Sequence, residues 1–182
     1  MENIRLFISV SLDPGISKDI QKKFQALNLP WEMLRPVNPE ILHLTLKFLG
    51  DVPIDKIPAC IEALSTIENI DPIELHINKT SIVDPNKPRI LRLDFVDSPE
   101  LQQLYDAIEQ ALFDAGLAHK EVRKFNPHIT LARIKTTAPI EEFKSFSDWK
   151  IKKIFTVVNF ELQESVLSKK GPEYTVLQTF DI

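Results

Sequence analysis

The chain carries one cysteine, Cys60, so no intramolecular disulfide can form, and a reducing cytoplasm is the expected setting. Long apolar runs are also missing, and no stretch could span a bilayer. Met1 to Leu12 alternates like a strand around Arg5 and lacks the profile of a signal peptide. There is no excess of positive charge. The formal net charge of −4 excludes a general nucleic-acid coat and leaves any RNA contact to local basic clusters. No low-complexity segment or interdomain linker is evident. What is present, 43% hydrophobic and 26% charged residues over 182 positions, is the balance of a globular protein able to bury a sizeable core.

One pattern carries chemistry. His43-Leu44-Thr45-Leu46 recurs as His128-Ile129-Thr130-Leu131, once in each half and 85 residues apart. A lone motif of this kind is weak evidence, because a single strand histidine is commonly a half-buried side chain bonded to a neighbour. The doubling reverses those odds. From Ile41 to Phe48 a strand period puts Leu42, Leu44, Leu46 and Phe48 on one face and His43, Thr45 and Lys47 on the other. His128 and Thr130 likewise share a face, with Ile129 and Leu131 behind them. Two imidazoles so held can act on a phosphodiester as base and acid, since unperturbed histidine titrates near neutrality. The hydroxyls of Thr45 and Thr130 can donate to its non-bridging oxygens.

Threonine is a weak anion ligand, so a cation is expected nearby. Arg133 is the candidate. A regular strand points it away from His128, so it serves only if the strand ends or bulges at Ala132; otherwise it is a surface arginine. No metal and no cofactor are expected. Neither motif holds a carboxylate ligand, and neither histidine has a second His or Cys at ligand spacing. His76 reads as a strand-surface or satisfied residue and His119 as a loop residue. Lys120, Arg123, Lys124, Lys150, Lys152, Lys153, Lys169 and Lys170 gather near the second motif, as a solvated surface or an RNA track. Phe48, Phe125 and Trp31 could stack on bases, though packing in the core or a loop is the expectation for each.

Turn and cap signals give the element order. Strands are expected at Arg5 to Leu12, Pro72 to Ile82, Arg89 to Phe95, Ile151 to Leu167 and Glu173 to Phe180, besides the two motif strands. Helices are expected at Ser17 to Leu27, Pro53 to Ile67, Ser98 to Ala115 and Ala138 to Phe146, with Leu29 to Pro39 as a loop. Ser98 suits an N-cap, Pro99 the first turn, and Gly116 the end. Each motif strand is preceded by a helix and loop and followed by a helix. The expected fold is α+β and bilobal: two mostly antiparallel sheets flanked by helices, as pseudo-symmetric lobes around a central cleft. Residues 1–182 form one domain on this reading.

With these residues in view, the chain resembles the two-histidine phosphoesterase superfamily, and within it the RNA 2′,3′-cyclic phosphodiesterase, or 2′-5′ RNA ligase-like, family. The resemblance runs nearly end to end. Arg5-Leu6-Phe7-Ile8 matches the opening strand, Leu42 to Gly50 the first motif, and Pro127 to Arg133 the second. Leu162, Ser165, Leu167, Gly171, Tyr174, Leu177 and Phe180 match the terminal strand pair. The resemblance implies a metal-free cleft that opens a terminal ribonucleoside 2′,3′-cyclic phosphate to a 2′-phosphate, with RNA ends as partners. It also implies His43 as proton donor to the 3′ oxygen and His128 as proton acceptor from water, roles that the residues alone leave open. A cytoplasmic monomer away from membranes is expected. Alternatives are a 2′-5′ oligonucleotide phosphodiesterase or ligase, a small cyclic-nucleotide hydrolase, or a non-catalytic RNA-end binder.

Overall fold

The structure, a computed structural model, describes residues 2–136, 138–168 and 171–182. Lys169 and Lys170 of the basic group lie outside them. In chain order the regular elements are β1 (Asn3–Ser11), α1 (Pro14–Gln25), β2 (Leu34–Pro36), β3 (His43–Pro53), α2 (Ile57–Leu64), β4 (Ile73–Val83) and β5 (Ile90–Phe95). They continue as α3 (Pro99–Asp114), β6 (His128–Ile134), α4 (Lys144–Ser147), β7 (Lys153–Val157), β8 (Asn159–Ser168) and β9 (Gly171–Asp181). Local chemistry explains the main helices. Asp13 accepts from the N–H groups of Gly15 and Ile16 ahead of Pro14, and Ser98 accepts from Leu101 ahead of Pro99. Gly116, at φ +67°, ends α3 in the left-handed conformation that glycine adopts without strain.

The expected α+β architecture with antiparallel pairing is present. Its two sheets are halves of one continuous sheet in the order β7-β4-β5-β6-β3-β1-β8-β9, with β2 on β6. The halves correspond. β1-α1-β3 in one matches β5-α3-β6 in the other, each a pair of antiparallel neighbours joined through a helix. The helices are exchanged between halves. Asp19 of α1 pairs with Lys153 of β7, and Phe24 packs on Phe146 and Trp149 of the second half. Glu109 of α3 pairs with Lys47 of β3 in the first. Leu6, Ile8, Leu44, Leu91, Leu93 and Ile129 are fully buried beneath these helices and leave the opposite sheet face open.

Several boundaries differ from the sequence expectation. Ile151 to Leu167 is two strands, β7 and β8, which belong to opposite halves. The loop expected at Leu29 to Pro39 contains β2, whose backbone pairs with the end of β6. The helix expected from Pro53 opens as a 3₁₀ turn and becomes α-helical at Ile57. Ala138 to Phe146 is a 3₁₀ turn followed by the single turn α4.

Candidate active site

The two halves of the sheet meet through one residue pair, Leu44 of β3 and Ile129 of β6. These are the central residues of the two repeated motifs. The pairing is antiparallel, so His43 lies toward Thr130, and Thr45 toward His128. The apolar residues face the core, and all four polar side chains stand on the open face around one midline.

Both strands bulge at the same motif position. Ile8 pairs with Lys47 and Ser9 with Thr45, so Leu46 is the extra residue in β3. Leu91 pairs with Ala132 and Arg92 with Thr130, so Leu131 is the extra residue in β6. A bulge reverses the alternation beyond it. This brings Arg133 onto the face of His128 and Thr130, as its candidacy requires. It also corrects two expectations in the first motif. Lys47 turns into the interior, 8% exposed, and Phe48 stands on the open face, 70% exposed. Phe48 and Arg133 thus hold equivalent positions in the two halves.

Each imidazole is latched in the same way. His43 Nδ1 donates to the Ile41 carbonyl at 2.8 Å, and His128 Nδ1 to the Asn126 carbonyl at 2.8 Å. A carbonyl can only accept, so both neutral rings carry their proton on Nδ1 and offer a bare Nε2. Phe7 and Tyr174 flank His43, with ring centroids 5.2 and 5.3 Å from it. Burial is the largest influence on both histidines and holds each pKa below its ordinary value, against the raising effect of the carbonyl bonds. His43 also feels the charge of His128, which puts the two within electrostatic reach. Arg92 and Arg133 lower His128 further, whereas Asp94 raises it.

Other charged residues here escaped the sequence reading. Asp94 is the cross-strand partner of His128, and Arg92 that of Thr130. Arg92 Nε lies 2.9 Å from Asp94 Oδ1 without hydrogen-bond alignment, and Ser81 donates to Asp94 Oδ2. In the first half Glu161 accepts from Ser11 and Gln163, and its charge raises His43. Each histidine therefore has one carboxylate in electrostatic range. No local motif signals Arg92, Asp94 or Glu161, because sheet pairing across long separations brings them to the site.

The remaining candidates fall elsewhere. His76 is an exposed strand residue whose Nε2 lies 2.6 Å from Glu74. His119 lies in the loop before β6. Phe125 stacks on Tyr105 at 4.1 Å, and Trp31 packs on Phe24. Arg123 pairs with Glu121, and Lys120 donates to Gln110. Among the described residues, no group of three or more His, Cys, Asp or Glu side chains is placed to hold a metal ion. No described helix is long and apolar enough to cross a membrane.

Two latched imidazoles and two hydroxyls share one open sheet face, and these are the groups that paired acid–base chemistry on a phosphodiester needs. A profile of the 2′-5′ RNA ligase superfamily matches residues 16–166, which include both motifs. The chain belongs to that superfamily. It is 27% identical over 184 residues to the RNA 2′,3′-cyclic phosphodiesterase of Archaeoglobus fulgidus, covering 98% of this chain and 100% of that protein. It is 30% identical over 194 residues to the enzyme of the same name from Thermus thermophilus, covering 98% and 90%. The crystal structure of E. coli LigT complexed with 3′-AMP superposes with a TM-score of 0.80 at 25% identity, covering 100% and 99%.

Proposed function

We propose that this protein hydrolyses terminal ribonucleoside 2′,3′-cyclic phosphate on RNA to a 2′-phosphomonoester, through His43 and His128 and without a metal. The observation that carries this reading is the Leu44–Ile129 pairing, which brings two sequence-distant motifs side by side. The names of the relatives support the substrate. The cyclic phosphate lies across the midline, and Thr45 and Thr130 donate to its non-bridging oxygens. Nε2 of His128 takes a proton from water as the water oxygen bonds to phosphorus. The bond from phosphorus to the 3′ oxygen breaks, and protonated Nε2 of His43 delivers its proton to that oxygen. Arg133 adds positive charge where the phosphoryl oxygens become more negative. The protein acts as a cytoplasmic monomer on free RNA ends.

Turnover of a cyclic-ended oligonucleotide in EDTA tests this. A 2′-phosphate product, identified by phosphorus NMR, and a rate unchanged by chelation are expected. A 3′-phosphate product, or loss of activity restored by one divalent metal, would overturn the reading. Binding without turnover would leave an RNA-end binder. Faster cleavage of a 2′-5′ dinucleotide would favour the oligonucleotide phosphodiesterase alternative.

The pH dependence has a defined direction. Both histidines titrate below the ordinary value of 6.5 in the free protein. The competent form has one ring charged and one neutral. It is lost to double protonation at low pH and to full deprotonation as pH rises. The bell of kcat/KM, which reports the free protein, should therefore peak below pH 6.5. Bound anionic phosphate favours the imidazolium forms, so the kcat bell should lie at higher pH than that of kcat/KM. A kcat/KM optimum above pH 7 would contradict the assigned environment.

A further inference from the structure

Two arginines stand side by side at one end of the cleft with no ion-pair partner among the described residues. Arg35 of β2 is the direct cross-strand partner of Arg133 of β6, so both side chains stand on the same face. Directly opposed like charges destabilise a sheet, yet neither has a carboxylate within ion-pair distance among the described residues. The charge of Arg133 also reaches the Tyr174 phenol, whose ring contacts that of His43. The protein is acidic overall, and by contrast Arg123, Lys144 and Lys153 all pair with carboxylates. Leaving Arg35 and Arg133 without an ion-pair partner at this end of the cleft is what an anion site requires.

Arg133 lies three positions beyond Thr130 on the strand that carries the midline, within the reach assigned to the reacting phosphate. Arg35 lies one strand away, about 5 Å farther out. The anion it meets is thus a second one, covalently connected to the first. We propose that Arg35, together with Arg133, forms a subsite for the RNA backbone phosphodiester adjacent to the cyclic end, so that the protein distinguishes RNA termini from cyclic mononucleotides. This rests on the cyclic phosphodiesterase reading. Arg35 is exposed and stands one strand beyond Arg133, so it acts on binding and not on the chemical step.

The test compares 2′,3′-cyclic AMP with the diadenylate ending in a 2′,3′-cyclic phosphate. Wild-type kcat/KM should favour the dinucleotide by at least about tenfold, through KM, as expected of one charge-assisted contact. Arg35→Ala should remove that preference, with kcat and the mononucleotide KM unchanged. It should also lower the slope of log KM against log salt for the dinucleotide by roughly 0.7. Because it relieves repulsion in the free protein, its Tm should equal or exceed that of wild type. Arg35→Lys should restore part of the preference. Equal loss on both substrates, no loss on either, or no wild-type preference would overturn the subsite. Titration with linear 3′-phosphorylated diadenylate against 3′-AMP separates the two proposals. If neither cyclic substrate turns over, the activity reading fails. A roughly tenfold weaker affinity of Arg35→Ala for the diadenylate alone would still establish the subsite, and equal affinities would remove it.

Discussion

Alanine at His43 or at His128 is expected to lower turnover of cyclic-ended RNA by at least about 10²-fold, while the fold persists. Proton transfer by a positioned side chain contributes roughly 10²- to 10⁴-fold. Here each ring is positioned by a single bond from Nδ1 to the carbonyl two residues before it. Both rings stand on the open face, so their removal opens no cavity in the buried layer of Leu44 and Ile129. His43→Ala also gives up ring contacts with Phe7 and Tyr174, worth about 0.5–1.5 kcal/mol each. Its melting temperature should fall by a few degrees more than that of His128→Ala. The double variant should lose little beyond the worse single one, since acid and base act as a unit. Residual activity assigns the roles. His128→Ala should lose the acidic limb of the pH profile and His43→Ala the basic limb; the reverse would exchange donor and acceptor. Near-wild-type turnover in either variant would reject paired catalysis.

The paired motifs are legible in the sequence because their signals are local. An imidazole and a hydroxyl two residues apart need only a strand period to share a face, and two copies suffice to suggest a pair. The faces beyond the motifs were legible only where the bulge leaves a trace. In the second motif, Leu131 and Ala132 are consecutive apolar residues, a break in alternation that fits an extra residue and frees Arg133 to turn outward. In the first, the matching position is Lys47. A charged residue there preserves apparent alternation and conceals the bulge, so Lys47 and Phe48 exchange faces in the simple reading. Glu109, the partner that makes a buried Lys47 possible, lies 62 residues away on α3, and no pattern near either residue announces the other. Arg35 is hidden for a related reason. Leu34-Arg35-Pro36, in a stretch with prolines at 30, 36 and 39, reads as loop, and only the edge of β6 makes it a strand. The single bridge that unites the halves is likewise a property of tertiary pairing. An expectation of two lobes around a cleft could therefore be reached without seeing that they share one sheet.

Lys47→Met should be the most destabilising exchange near the site that touches no catalytic group. Lys47 and Glu109 form an ion pair whose side chains are both 7% exposed. Lys47 Nζ also donates to the His119 carbonyl at 3.1 Å, and the other oxygen of Glu109 accepts from the Glu121 N–H at 2.8 Å. The pair thus fastens β3 to α3 and straps down the loop of residues 115–127, which delivers Asn126 and then His128. Removing one member strands a desolvated carboxylate, at a cost of about 3–5 kcal/mol. At roughly 2–4 °C per kcal/mol for a chain of this size, the melting temperature should fall by about 6–20 °C. Activity well below the melting point should also fall, through a looser His128. Replacing both partners, as Lys47→Met with Glu109→Leu, removes the orphaned charge and should recover most of the stability. It does not restore the bonds to His119 and Glu121, so activity should recover less than stability does. A single variant that melts within about 2 °C of wild type would show that the pair is no strap. A double variant that recovers activity in full would show that the loop needs no anchor to hold His128.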